Sequence, residues 1–302
     1  MSKFKIAGIA ILATAGLVAM TGCSSSTPMA SSTPSASASI SVDAAAAALL
    51  PAQYKTAGVS VASDIPYAPM ELFDANNNPT GFDYDLSQAL GAKLGVTFKF
   101  EEQTFDSIIP SLQAGKHDIV MSSMTDSAER QKVLTFVDYF NAGSGILVPK
   151  GNPKSITTFA SLCGLNVAVE NATTQADLVA ALNKGACKSK PVVLTTYPDE
   201  NAAETAIRAG KADADLNDGQ VSAYNAKLAG DGKYFDVVTP TDAPDGFGAS
   251  PIGIGTLKAN TGLVSALKAA LQSLKDDGTY ASLLAKWNLT SFGLSTITVN
   301  GK

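Results

Sequence analysis

Apolar and polar positions along the chain follow two periods, and the two periods take turns. Val59 to Ala62 alternates as a strand does, and Leu86, Ala89, Leu90 and Leu94 then fall on one face of a helix. Val96 to Phe100 returns to the strand period, Ile108, Ile109 and Leu112 mark another helix, and Asp118 to Ser122 reads as a buried strand. Asn166 to Glu170 and Thr173 to Lys184 repeat the strand–helix pair. The rhythm continues through Val192 to Leu194, Ala202 to Ala209, Ala212 to Leu216 and Ser222 to Leu228. Leu263, Leu267, Ala270, Leu271 and Leu274 give a strong amphipathic helix. Strands alternating with helices of about ten to fifteen residues predict an α/β architecture. In such folds ligands sit at the carboxyl ends of strands and the amino ends of helices.

Ahead of this rhythm lies a different pattern. Lys3 and Lys5 precede the apolar run Ile6 to Met20, which has the length of a secretory signal and is short for a membrane span. The run closes on Met20-Thr21-Gly22-Cys23, which resembles the lipobox of bacterial lipoproteins, with Met20 where such boxes usually carry Leu. That resemblance implies removal of residues 1–22, acylation of Cys23, and a mature protein that is exported and lipid-anchored to the outer face of the cell membrane. The alternative is a plain signal peptide with an incidental Cys. With no arginine in the first residues, Sec export is expected rather than twin-Arg export. Ser24 to Ser41 is almost wholly Ser, Thr, Pro and Ala, with too little apolar surface to offset ordering entropy. Residues 23–56 are therefore expected to form a disordered spacer. The run Ala44 to Ala48 is helix-prone but short, and order is expected to begin near Ala57.

Composition narrows the function classes. Without signal and spacer, about 250 of the 302 residues remain, enough for one large domain or two ordinary lobes. Net charge is -5 with both signs interspersed, and the absence of a basic stripe argues against nucleic acid. No cofactor is implied by any motif. Cys163 and Cys187 form an even pair in an exported chain, which reads as a disulfide. Strand 166–170 running out and helix 173–184 running back cover similar distances, roughly 17 and 18 Å, and bring both thiols to one edge. Closing a loop of that length stabilises by roughly 3 kcal/mol. The alternative is two unpaired buried thiols. His117 is the only histidine, lies in the polar turn Gly115-Lys116-His117-Asp118, and is expected to be solvated rather than metal-bound.

The most specific internal signal is Met121 to Arg130 (MSSMTDSAER). A buried strand ends at Ser122, small hydroxyl residues follow, and Asp126 and Glu129 have the spacing of a capping pair at a helix start. Arg130 would lie in the first turn. A helix start offers free N–H groups, and an arginine adds a planar fork matched to a carboxylate. Either these groups grip one anion, or Arg130 merely pairs with Asp126 or Glu129 at the surface.

At this point the chain resembles the family 3 solute-binding proteins of ABC importers, the polar amino-acid binders similar to lysine/arginine/ornithine- and histidine-binding proteins. The carriers are Ser63 to Glu71, Gly81 to Leu86, Phe105 to Leu112, Ser122 to Arg130, Asp277 to Tyr280 and Lys286-Trp287, within about Ala57 to Leu289. The resemblance implies a two-lobed periplasmic-binding-protein-like α/β fold (type II). Lobe 1 would take 57–145 and 252–302, and lobe 2 would take 146–251. Two crossing strands are expected near Gly143 to Val148 and Pro251 to Thr256.

The resemblance also implies roles. Arg130 would grip the α-carboxylate of an amino acid, helped by Thr125 and by Thr174 from lobe 2. Ser122 and Ser123 would supply backbone groups, and Asp218 would pair with the α-ammonium. Tyr67 and Phe105 would sandwich the ligand side chain, and Asp64 would meet its polar or cationic end. The alternatives are core packing for Tyr67 and Phe105, a helix N-cap for Asp218 and a turn-stabilising carboxylate for Asp64. Glu170 adds a carboxylate near the cleft and, with Asp64, would favour a cationic side chain. Ala172 stands where relatives usually have Gly, which is expected to shift the loop that meets the ligand. The implied function is non-catalytic capture of a polar amino acid by a monomer that delivers it to an ABC permease and its ATPase. Other readings are an enzyme of the same fold, similar to cyclohexadienyl dehydratases, and an amino-acid sensor subunit.

Overall fold

The structure is a computed structural model that describes residues 40–239, 243 and 246–301. The expected signal and Cys23 lie outside the described residues. The expectation that order begins at Ala57 is corrected. Asp43 Oδ1 accepts from the amides of Ala45 and Ala46 and caps α1 (Ala44–Leu49), and α2 (Ala52–Ala57) follows. Ala46, Leu50 and Tyr54 recur at four-residue spacing and are buried in the core that includes α8 (Thr261–Asp276). Tertiary packing of this narrow stripe, not helix length, makes the segment fold.

From Val59 the expected alternation appears. Strand β1 (Val59–Ser63) is followed by a small hairpin, β2 (Leu72–Phe73) and β3 (Pro79–Thr80), then α3 (Phe82–Leu94), β4 (Phe98–Glu102), α4 (Phe105–Gln113) and β5 (Ile119–Val120). The long β6 (Leu134–Pro149) leads to β7 (Asn166–Glu170), α5 (Thr174–Lys184), β8 (Val193–Tyr197), α6 (Glu200–Arg208), β9 (Ala214–Asp218), α7 (Gly219–Leu228) and β10 (Phe235–Val238). Strand β11 (Phe247–Leu257), α8 and α9 (Thr279–Lys286) complete the order.

One sheet serves two lobes, in the order β4-β1-β5-β11-β6-β9-β7-β8, with β10 also on β6. Lobe 1 is built on parallel β4, β1 and β5, and lobe 2 on parallel β9, β7 and β8. Both lobes share β6: Leu134 to Ser144 pairs with β11, and Ser144 to Leu147 pairs with β9. The first crossing therefore lies at Gly143–Ser144, the start of the expected stretch, and the second lies near Gly246, ahead of the expected Pro251 to Thr256. Pro251 to Leu257 is already paired with Asn141 to Leu134 in lobe 1. Gly143 and Gly246 touch backbone to backbone. A Cβ on Gly143 would come within 2.5 Å of the Gly246 carbonyl carbon, and Gly246 has φ +83°. Only glycine permits that approach at that φ.

Each lobe has apolar layers on both faces of its sheet. In lobe 1, Val61 packs with Leu86, Leu90, Leu267 and Leu271, while the next residue, Ala62, joins Ile108, Leu112 and Phe136 on the opposite face. In lobe 2, Val167 and Val169 pack with Val179 and Leu182, while Ala168 faces Ala203, Ile207 and Phe235. The period of two explains each switch. Cys163 and Cys187 form the expected disulfide in lobe 2, with Cα atoms 5.0 Å apart. His117 departs from expectation. It is buried, with Nδ1 2.9 Å from Ser111 Oγ and Nε2 3.2 Å from Glu101 Oε2, because the turn after α4 folds the ring back against that helix.

Candidate functional site

The parallel strands of both lobes end at one cavity. In lobe 1, β1 ends beside Asp64 and leads to Tyr67, α4 starts at Phe105, and β5 runs out into Ser122, Ser123 and Thr125, followed by Arg130. In lobe 2, β7 ends at Glu170, α5 starts at Thr174, and β9 ends at Asp218. All nine expected residues line this cavity, together with Glu170, Thr173 and Gln175. The lobes meet across it. Ser123 Oγ donates to Asp218 Oδ2 at 2.8 Å, the Asp218 amide donates to the Tyr67 hydroxyl at 3.0 Å, and the hydroxyls of Thr125 and Thr174 are 3.4 Å apart.

Arg130 lines the cavity from lobe 1. Its Nη1 donates to the Thr125 carbonyl at 3.0 Å and its Nη2 to the Ala172 carbonyl of lobe 2 at 3.1 Å. Its guanidinium carbon lies 5.2 Å from the Phe105 ring centroid, which adds a cation–π contact. Burial pushes its pKa down to about 10, opposed by Asp218 and Asp177, so it stays cationic at neutral pH. The expected helix start is not there. Arg130–Lys132 is a 3-10 turn without a side-chain cap. Asp126 instead accepts from Gln131 Nε2 and is buried against Asp138, and Glu129 pairs with Lys132. Burial of the Asp126 carboxyl leaves no cap for a longer helix, and neither acid holds Arg130.

Asp218 opposes Arg130 from lobe 2. It stands at the N-cap position of α7 but makes no side-chain capping bond. Its carboxylate accepts from Ser123, Gln175 and Gln220 instead. Burial raises its pKa, and these hydrogen bonds and Arg130 offset the rise. Among the described residues no ion pair joins Arg130 to Asp218.

The serines differ from expectation. Ser122 Oγ donates to Glu71 Oε1 at 2.7 Å and accepts from the Asp64 amide, and the Ser123 amide donates to Asp83 Oδ2 at 2.8 Å. With φ +43°, Ser123 turns its amide into the core, so that group supports the site from behind. The shared buried acids Glu71 and Asp83, with the Tyr139 hydroxyl on Asp83, fix this turn. Tyr67 and Phe105 are half buried. Each packs against a core layer of lobe 1 and lines the cavity, so the two readings of these rings coexist.

Two further acids line the same cavity. Asp64 and Glu170 come from opposite lobes, are buried, and each shifts the other's titration. Burial, then Asp64, then Glu200 and Asp199, push Glu170 up to about 11. Burial also raises Asp64, with Asp199 and Glu102 adding to the rise. Ala172 has φ +61°, a conformation that glycine adopts freely and that strains an alanine. Thr173 Oγ1 donates to the Glu170 carbonyl at 2.8 Å, and Gln175 holds Asp218. Sequence reasoning missed these last two as site residues. Their only signal is position, at the amino end of a helix that follows a buried strand.

The lining thus carries a cation, Arg130, the Asp218 acid, two aromatic rings and a second pair of acids, Asp64 and Glu170. This arrangement offers partners to a small molecule with several charges, and the described residues contain no metal-ligating cluster. Residues 59–290 match the family described as bacterial extracellular solute-binding proteins, family 3. The chain is 33% identical over 233 residues to the putative ABC transporter arginine-binding protein 2 of Escherichia coli (strain K12), covering 76% of this chain and 90% of that one. It is 30% identical over 230 residues to the lysine/arginine/ornithine-binding periplasmic protein of the same strain, covering 76% and 86%. Among solved structures, an ancestral arginine-binding protein bound to arginine superposes with a TM-score of 0.68 at 32% identity, covering 76% of this chain and 97% of that one. With the two-lobed fold and the interlobe cavity, these matches establish that the chain belongs to family 3 of the bacterial extracellular solute-binding proteins.

Proposed function

We propose that this protein is the extracytoplasmic receptor of an ABC importer and captures a cationic amino acid between its lobes. The observation that carries the reading is the division of charge along the cavity. Arg130 and Asp218 match the two poles of an α-amino acid, and Asp64 with Glu170 match a third, positive, side-chain group. Tyr67 and Phe105 would cover the aliphatic stem between them. A charge that leaves water without a partner costs several kcal/mol or more, so each ligand charge needs its own partner. Lobe 1 brings Arg130 and Asp64 and lobe 2 brings Asp218 and Glu170. Neither lobe alone neutralises the ligand, and ligand favours the closed arrangement. A micromolar complex corresponds to about -8 kcal/mol, within reach of such pairing.

The names of the relatives, arginine- and lysine/arginine/ornithine-binding, support the same class. The lipobox supports acylation at Cys23 and a tether to the outer face of the membrane. The protein would act there as a monomer, with a permease and ATPase pair as partners. A thermal-shift screen of the common amino acids tests the reading. Arginine, lysine and ornithine should raise the melting temperature most, since ligand at 100 times its Kd adds about 2.7 kcal/mol. A larger shift with glutamate or aspartate, or no shift with any amino acid, contradicts it. An enzymatic role is a second reading, favoured by Glu170 because an acid held protonated in a cleft suits general-acid work. Turnover of prephenate or arogenate by the pure protein would support it, and none is expected.

A further inference from the structure

Asp64 and Glu170 belong to opposite lobes, yet both carboxyl groups lie in the wall of one cavity, near enough for each to shift the other's titration. They are only 8% and 3% exposed, and Glu170 Oε1 has no donor. Among the described residues, the one cation lining the same cavity is Arg130, whose Nη2 is taken by the Ala172 carbonyl, and the groups that shift the pair most are acids. Glu102 on β4 and Asp199 before α6 act on Asp64, Asp199 and Glu200 act on Glu170, and Glu71 and Asp215 lie behind them. The Tyr67 phenol and the Asp218 carboxylate line the same cavity. Two ionised carboxylates cannot remain so near each other in such a wall without a positive charge between them. A ligand cation supplies one, and so does a proton. With the lobes apart each acid meets water and titrates near about 4. Closing over an uncharged side chain must then draw a proton from solvent, whereas closing over a guanidinium or ammonium need not.

We propose that the Asp64–Glu170 pair exchanges a proton for the ligand's side-chain cation, so that ambient acidity sets which amino acids the protein accepts. The inference rests on the reading of Arg130 and Asp218 as the holders of the α-carboxylate and α-ammonium. Between about pH 5 and 8, arginine binds with constant affinity and moves no proton. Over the same range, an amino acid with an uncharged amide side chain binds with uptake of one proton and gains about tenfold in affinity for each pH unit of acidification. A receptor in neutral surroundings is then selective for cationic amino acids, and the same receptor in acidic surroundings also takes glutamine.

The test is calorimetry of the full wild-type chain with L-arginine and L-glutamine at four pH values from 5 to 8. Each titration is run in two buffers of different ionisation enthalpy, so that protons are counted directly. The expected result is one proton taken up per glutamine at pH 7 and none per arginine, with glutamine affinity rising about tenfold per unit on acidification. Glu170→Gln should abolish the glutamine pH dependence and weaken arginine. The proton count on the unaltered protein decides the matter even if that variant folds poorly. Equal proton counts for the two ligands, or glutamine failing to bind at pH 5 while arginine binds, overturn the exchange and leave the amino-acid site standing. If neither ligand binds at any pH, the underlying reading of the cleft falls, and the exchange with it.

Discussion

The cavity lining carries two charge groupings of different kind. One is a cation and an acid, Arg130 and Asp218, each already steadied by hydrogen bonds from neutral groups or to carbonyls. The other is two acids, Asp64 and Glu170, whose strongest charged neighbours are further acids. The first pair is balanced and would suit the groups common to all α-amino acids. The second is unbalanced, and on the proposed function whatever restores its charge would set selection, with affinity carried mainly by Arg130 and discrimination by Asp64.

Arg130→Ala breaks the comparison at its strongest point. Removing one partner of a buried charge pair costs about 3–5 kcal/mol, so calorimetry should show binding of every amino acid lost, with the melting temperature of the free protein little changed. Retained affinity would remove Arg130 from the site. Asp64→Asn sharpens the comparison. It should weaken arginine and lysine by about 1.5–3 kcal/mol, the value of hydrogen bonds to charged groups, and spare glutamine. Equal loss for both ligand types would show that the two groupings are not divided as described.

A third prediction concerns acid pairs that no ligand reaches. Glu71 with Asp83, Asp126 with Asp138, and Glu200 with Asp215 are neighbouring buried carboxyls, and each acid has one buried oxygen that accepts no hydrogen bond, a place for a shared proton. Burial is the first cause in each case, pushing Asp83 and Asp215 up to about 7 and Asp126 up to about 6. The folded state thus holds protons that the unfolded chain releases near about pH 4. Their stabilisation is complete below that value and is lost as pH rises through 6 to 7. The melting temperature of ligand-free protein should fall over this range, and Asp126→Asn, which substitutes an amide donor for the shared proton, should flatten the fall. A melting temperature that rises from pH 5 to 8 would contradict the assignment. The smallest effect is expected at Ala172. Ala172→Gly relieves a left-handed residue and should stabilise the protein by about 1 kcal/mol without changing the order of ligand affinities.

Much of this was legible in the residues. The two hydrophobic periods located the strands and helices, and β6 and β11 emerged near the glycines that mark the crossing. The cavity residues were legible because Ser122 to Arg130 and the aromatic positions recur as motifs, and the cavity gathers all nine. What escaped the sequence depends on tertiary burial. Asp126 looks like a cap because spacing cannot reveal that Asp138 lies beside it. His117 looks solvated because a polar turn does not show that Ser111 closes over the ring. The helix at Ala44 to Leu49 looks like spacer because its stripe of Ala46, Leu50 and Tyr54 has meaning only against α8. The acid pairs are invisible for the same reason, since Glu71 and Asp83 are twelve positions apart yet lie side by side in the core.

The most direct measurement is a crystal structure of the protein loaded with L-arginine. The account predicts the α-carboxylate on Arg130, the α-ammonium on Asp218, and the guanidinium within about 3 Å of the Asp64 and Glu170 oxygens, between the closed lobes. An arginine whose guanidinium points away from both acids, or that lies outside the interlobe cavity, would contradict it.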